Sequence, residues 1–100
     1  MDALEKLFAA GFTLRSLPAY PRHPVIEKYH CAALLELTPE GRWKRFSAAG
    51  YLLDGQIALL VERAGRRVFA YKSKQLPAEG EALERFDRFQ QELRSVLDEQ

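Results

Sequence analysis

Residues 52–71 read LLDGQIALLVERAGRRVFAY, and this stretch decides the fold. Asp54-Gly55 is one of the strongest two-residue hairpin signals, because a type I′ turn needs positive φ at both central positions. Ala64-Gly65 offers a second tight turn further along the same stretch. Apolar and β-branched residues fill the segments on either side, so they read as antiparallel strands over Trp43–Leu53, Gln56–Arg63 and Arg66–Lys74. Upstream, Thr38-Pro39-Glu40-Gly41 has proline second and glycine fourth, as a β-turn prefers, and follows a further apolar strand over Tyr29–Leu37. Downstream, Leu76-Pro77 ends the sheet.

The flanks are helical. From Glu79 to Asp98 the apolar residues Leu83, Phe86, Phe89, Leu93, Val96 and Leu97 recur at three- and four-residue steps, which is one buried helical stripe. At the start, Asp2 is placed to cap a short helix over residues 2–9, with Glu5 as its capping-box partner and Leu4, Leu7 and Phe8 as its apolar side. Gly11 stops that helix. Phe12, Leu14 and Leu17 then form a short extended piece. Three prolines between Leu17 and Pro24 remove backbone donors and fix φ, so that segment is an extended connector.

The expected fold is therefore α+β, within one domain spanning residues 1–100. A short N-terminal helix and Pro-rich segment fill 1–28, and a four- to five-stranded antiparallel β-meander fills 29–74. A long amphipathic C-terminal helix over 79–98 packs on one sheet face. One hundred residues, 47% of them apolar and 29% charged, suit one globular core. No apolar run reaches the roughly 20 residues of a bilayer span, and no signal-peptide pattern opens the chain. Cys31 is the one cysteine, which excludes an internal disulfide and fits a reducing compartment, so a cytoplasmic location is expected.

Strand alternation assigns the faces once the turns are fixed. Two-residue turns at 54–55 and 64–65 put Leu52 opposite Ile57, Gly50 opposite Leu59, Ala48 opposite Val61, Val61 opposite Val68 and Leu59 opposite Ala70. A four-residue loop at 38–41 puts Leu37 opposite Arg42 and Ala33 opposite Phe46. One face then gathers Cys31, Ala33, Leu35, Phe46, Ala48, Leu52, Ile57, Leu59, Val61, Val68 and Ala70, the expected seat of the last helix. The other is mixed: His30, Trp43, Arg45, Tyr51, Arg67, Phe69 and Tyr71 stand on it, beside Leu34, Leu53 and Leu60. Apolar area of that kind is rarely left bare. The N-terminal segment, a second copy of the chain or a ligand is expected to cover it.

Charge is unevenly spread. The net value is +1, yet residues 42–74 hold eight Lys/Arg against two Asp/Glu, and residues 75–100 hold three against seven. Basic hairpins with interleaved aromatics can bind single-stranded nucleic acid, through phosphate contacts and base stacking. The order of four strands then a helix over residues 29–98 is similar to that of small single-stranded-DNA-binding coactivator domains. That resemblance is one of element order, with no residue motif behind it, and it implies no activity residue by residue.

Enzyme chemistry finds no support. His23, Glu27, His30 and Cys31 are metal-ligand types within nine positions, but His30 and Cys31, adjacent on one expected strand, point to opposite faces. The same geometry denies them a nucleophile–base pair. No glycine spacing matches a phosphate loop. No cofactor or metal is expected. The chain reads as a small non-enzymatic interaction domain, forming a homodimer or binding a protein partner through His30, Trp43, Arg45, Tyr51, Arg67, Phe69 and Tyr71. Binding of single-stranded nucleic acid on the same face is the first alternative, and a small-ligand carrier or enzyme, with a pocket lined by His30, Tyr51 and Tyr71, is the second.

Overall fold

The computed structural model describes residues 2–100. Its elements in chain order are α1 (Ala3–Ala9), β1 (Thr13–Arg15), β2 (Val25–Lys28), β3 (Cys31–Leu37), β4 (Trp43–Arg45), β5 (Gly50–Leu53), β6 (Gln56–Arg63), β7 (Arg66–Tyr71), β8 (Lys74–Pro77) and α2 (Gly80–Asp98). All strands join one antiparallel sheet in the order β1-β2-β3-β5-β6-β7-β8, with β4 paired to the far end of β3. The class is α+β, as expected. Asp2 caps α1 by accepting from the Glu5 N–H at 2.8 Å. No helix among the described residues is long and apolar enough to cross a membrane.

The strand count exceeds the expected four to five, and the reason is local. Tyr29 and His30 sit at φ 55° and 64°, a tight turn built without glycine, so the expected strand Tyr29–Leu37 begins only at Cys31 and β2 pairs ahead of it. Lys72 at φ 54° ends the expected strand Arg66–Lys74 at Tyr71, and the chain turns back to pair Lys74–Pro77 as β8, a strand the sequence reading did not include. Both turns use residues that side-chain sterics normally keep out of the left-handed region. The extended piece near Leu14 becomes β1, paired with β2.

Registers at the two glycine hairpins are as the sequence implies: Leu52 faces Ile57, Gly50 faces Leu59, Val61 faces Val68 and Leu59 faces Ala70. The β3–β4 connection differs. It spans residues 38–42, with the Thr38 N–H donating to the Arg42 carbonyl at 2.7 Å, and Leu37 faces Trp43 rather than Arg42. Residues 46–49 then leave the ladder, and pairing resumes with Cys31 facing Tyr51. A one-residue slip exchanges the two faces of a strand. Cys31, Ala33 and Leu35 therefore share their face with the aromatic residues of β5 and β7.

That face carries the helices, a correction to the expected assignment. Phe86, Phe89 and Leu93 of α2, with Leu7 of α1 and Phe12, pack onto Cys31, Ala33, Leu35, Tyr51, Ala58 and Phe69. Phe69 meets Phe86 edge-on at 5.1 Å and stacks on Tyr51 at 5.2 Å, while Phe12 lies 5.6 Å from Phe89. Small side chains at Cys31, Ala33 and Ala58 leave room for these rings, and all three are fully buried. Burying a side chain such as Phe86, Phe89 or Leu93 contributes about 1.5–3 kcal/mol.

On the opposite face Leu17, Val25, Ala32, Leu34 and Leu52 form a second cluster beneath the proline connector. This cover ends at β5. Beyond it, β6 and β7 turn the other side of their strands outward without a layer above them.

Candidate interaction face

The uncovered half of the second face is built by the Asp54-Gly55 and Ala64-Gly65 hairpins, which set Ile57, Leu59 and Val61 of β6 on one side with Val68 and Ala70 of β7. Leu59 is 43% exposed in the body of the sheet, and Phe46, on the looped segment beside it, is 48% exposed. Between them lies an open groove of about 320 Å³, whose lining includes Tyr20, Leu34, Ile57 and Ala70. Lys72 is the one charged residue lining it. The His23 ring stacks on Phe46 with centroids 3.8 Å apart, and its Nδ1 lies 3.3 Å from the Leu35 carbonyl, which fixes the edge of the connector at the groove.

The seven residues expected to form a binding face do not share one open surface, although the rings of His30, Tyr51 and Phe69 are in contact. Phe69 is fully buried and Tyr51 nearly so, both beneath α2. His30 is exposed in the β2–β3 turn, tilted against Tyr51 at 5.0 Å. Arg67 is exposed at the start of β7 opposite Glu62, and Tyr71 is half-buried under the Lys72 ammonium at 5.4 Å. Trp43 and Arg45 remain a pair, beside the C-terminal half of α2. The residues that do form open apolar surface, Phe46, Ile57 and Leu59, were expected in the core.

A signal for the true arrangement lies in β3. Cys31 to Leu35 is an unbroken apolar run, and all five residues are buried. Such a run marks a strand covered on both faces. Around it both layers had to be filled by the chain itself, while β6 and β7 lay toward the edge of that cover.

Cys31 does not stand at the open face. The Cys31 thiol is fully buried in the core on the opposite side of the sheet, and burial pushes it up to about 12. Lys28 and Glu92 form the most enclosed ion pair of the described residues, at 2.6 Å, with the Tyr29 hydroxyl donating to the second Glu92 oxygen at 2.8 Å. That group ties the β2–β3 turn to α2.

No protein-family model matches the chain, and no curated protein or solved structure matches it significantly.

Proposed function

We propose that the chain is a non-enzymatic interaction domain that self-associates through the uncovered half of its second sheet face. One observation carries this reading: Phe46 and Leu59 stand 48% and 43% exposed around an apolar groove in the body of a sheet whose other face carries both helices. Water contacts there are costly, and their removal is worth about 25 cal/mol per Å².

A second copy is the occupant favoured by the shape of the patch. Projecting side chains and the groove that can receive them lie side by side on the same surface, the requirement of a two-fold, self-complementary contact. The patch centre is uncharged, so two copies can stack without desolvating an ion. Two sheets meeting face to face at about 10 Å would complete a sandwich of ordinary dimensions. The accessible area agrees in sense: 6301 Å² is larger than the ~5,800 Å² expected of a compact monomer of this mass, and a standard interface removes about 800 Å² per partner.

Light scattering on wild type and Leu59→Glu tests the reading. Wild type is expected at twice the chain mass in the micromolar range and the variant at the monomer mass with unchanged circular dichroism. A wild-type monomer at high micromolar concentration would reject self-association and leave the face to a different protein.

A further inference from the structure

The run Arg42-Trp43-Lys44-Arg45 sets three cations around the single tryptophan of the chain, and α2 passes alongside it. Between the two lies an open groove of about 530 Å³, within the usual range for small-molecule sites. Trp43 and Leu97 supply its apolar surface, and Arg42, Arg45 and Arg94 its exposed rim. Gln100 holds the Trp43 backbone in place, accepting from its N–H at 2.6 Å and donating to its carbonyl at 2.5 Å. Lys44 is engaged elsewhere, with Glu36 at 3.1 Å.

Two guanidiniums of the groove are free of a carboxylate: among the described residues neither Arg45 nor Arg94 makes an ion pair. Arg45 donates only to the neutral Gln90 amide at 3.3 Å, whereas Arg42 donates to the backbone oxygen of the last residue, Gln100, at 3.0 Å. Glu40 and Asp98 also line the groove, and neither is paired with an arginine. Planar guanidiniums match phosphate oxygens in pairs, and an indole offers a stacking surface for any base. A bare phosphate would leave the Trp43–Leu97 surface unused, and an acidic peptide would have nothing flat to set on it.

We infer that this groove binds a nucleotide unit, with its phosphate on Arg45 and Arg94 and its base against Trp43, either free or within a single strand. The site lies on the helix-bearing side of the sheet and is independent of the self-associating face.

Because Trp43 is the one tryptophan, its emission reports on the groove directly. The protein is titrated at low salt with thymidine monophosphate, an oligothymidylate of about eight nucleotides, inorganic phosphate and polyglutamate. Quenching by the oligonucleotide alone assigns a single strand, and quenching by both nucleotide probes assigns a free nucleotide. Either supports the inference, provided that Arg45→Ala and Arg94→Ala each weaken binding about tenfold while melting like wild type. Binding should also fall steeply with salt. No quenching by either nucleotide probe, equal quenching by polyglutamate, or unchanged affinity in both arginine variants would overturn it.

Discussion

The His23 ring lies on the Phe46 ring with centroids 3.8 Å apart and planes 18° from parallel. The stack joins the proline connector to the segment that interrupts β4 and β5, and so pins the loose cover of the second face to the groove beside it. His23→Ala should leave the main core intact and loosen only this cover. Loss of about 0.5–1.5 kcal/mol is expected, with faster tryptic cleavage after Arg22 under native conditions. Cleavage at the wild-type rate would mean that the stack holds nothing.

The Lys28–Glu92 pair should give stability a defined pH dependence. Glu92 feels burial most, which alone would raise it, but the hydrogen bonds from Lys28 and Tyr29 together hold it below its ordinary 4.5. Lys28 is raised above its ordinary 10.5, chiefly by the hydrogen bond to Glu92. A lowered carboxylate stabilises above its unfolded pKa and loses that contribution as pH falls through the folded value; a raised ammonium stabilises below its unfolded pKa and loses it as pH rises through the folded value. Glu92→Gln should therefore cost on the order of 1 kcal/mol at neutral pH. In urea melts that deficit should shrink toward zero well below pH 4.5 and again above pH 10.5. A deficit that did not vary with pH would show the pair to be electrostatically silent.

Gly50 tests the packing between β5 and β6. A Cβ there would clash with the Ala58 carbonyl oxygen and meet Ile57 Cγ2 at 2.6 Å, and backbone does not yield as a side chain does. Gly50→Ala should destabilise by about 1–3 kcal/mol, although alanine is the better strand residue. An unchanged denaturation midpoint would contradict the close approach.

Ala64 carries the opposite prediction. It sits exposed at φ 52° in the β6–β7 turn, a conformation that asparagine tolerates better than alanine. Ala64→Asn should stabilise by roughly 0.5–1 kcal/mol, which in a domain of this size raises Tm by a few degrees. A lower Tm would mean that the turn is not of the I′ kind.

The class, both helices and the two glycine hairpins were legible because each rests on local chemistry: the Asp2 cap, the Phe86–Phe89–Leu93 stripe, and Asp54-Gly55. The extra strands were not, since Tyr29-His30 and Lys72 adopt left-handed conformations that nothing in their side chains announces. The faces went astray at a single loop. Thr38-Pro39-Glu40-Gly41 is consistent with four or five residues, and only Leu37 standing opposite Trp43 fixes which side of β3 meets α2. For the candidate sites, Trp43 with Arg45 was visible as an aromatic–basic pair, but Arg94 reaches it only through the docking of α2. Phe46 and Leu59 look like core residues in the sequence, and their exposure depends on how far the connector reaches.

The central claim is that another copy covers Phe46 and Leu59, and an isotope-filtered nuclear Overhauser experiment tests it most directly. Equal amounts of labelled and unlabelled chain are mixed and contacts between the two are recorded. The methyls of Ile57, Leu59 and Val61 should show intermolecular contacts to the Phe46 ring of the other copy, and Leu59→Glu should abolish them. Absence of any intermolecular contact, with a rotational correlation time of a monomer, would contradict the account.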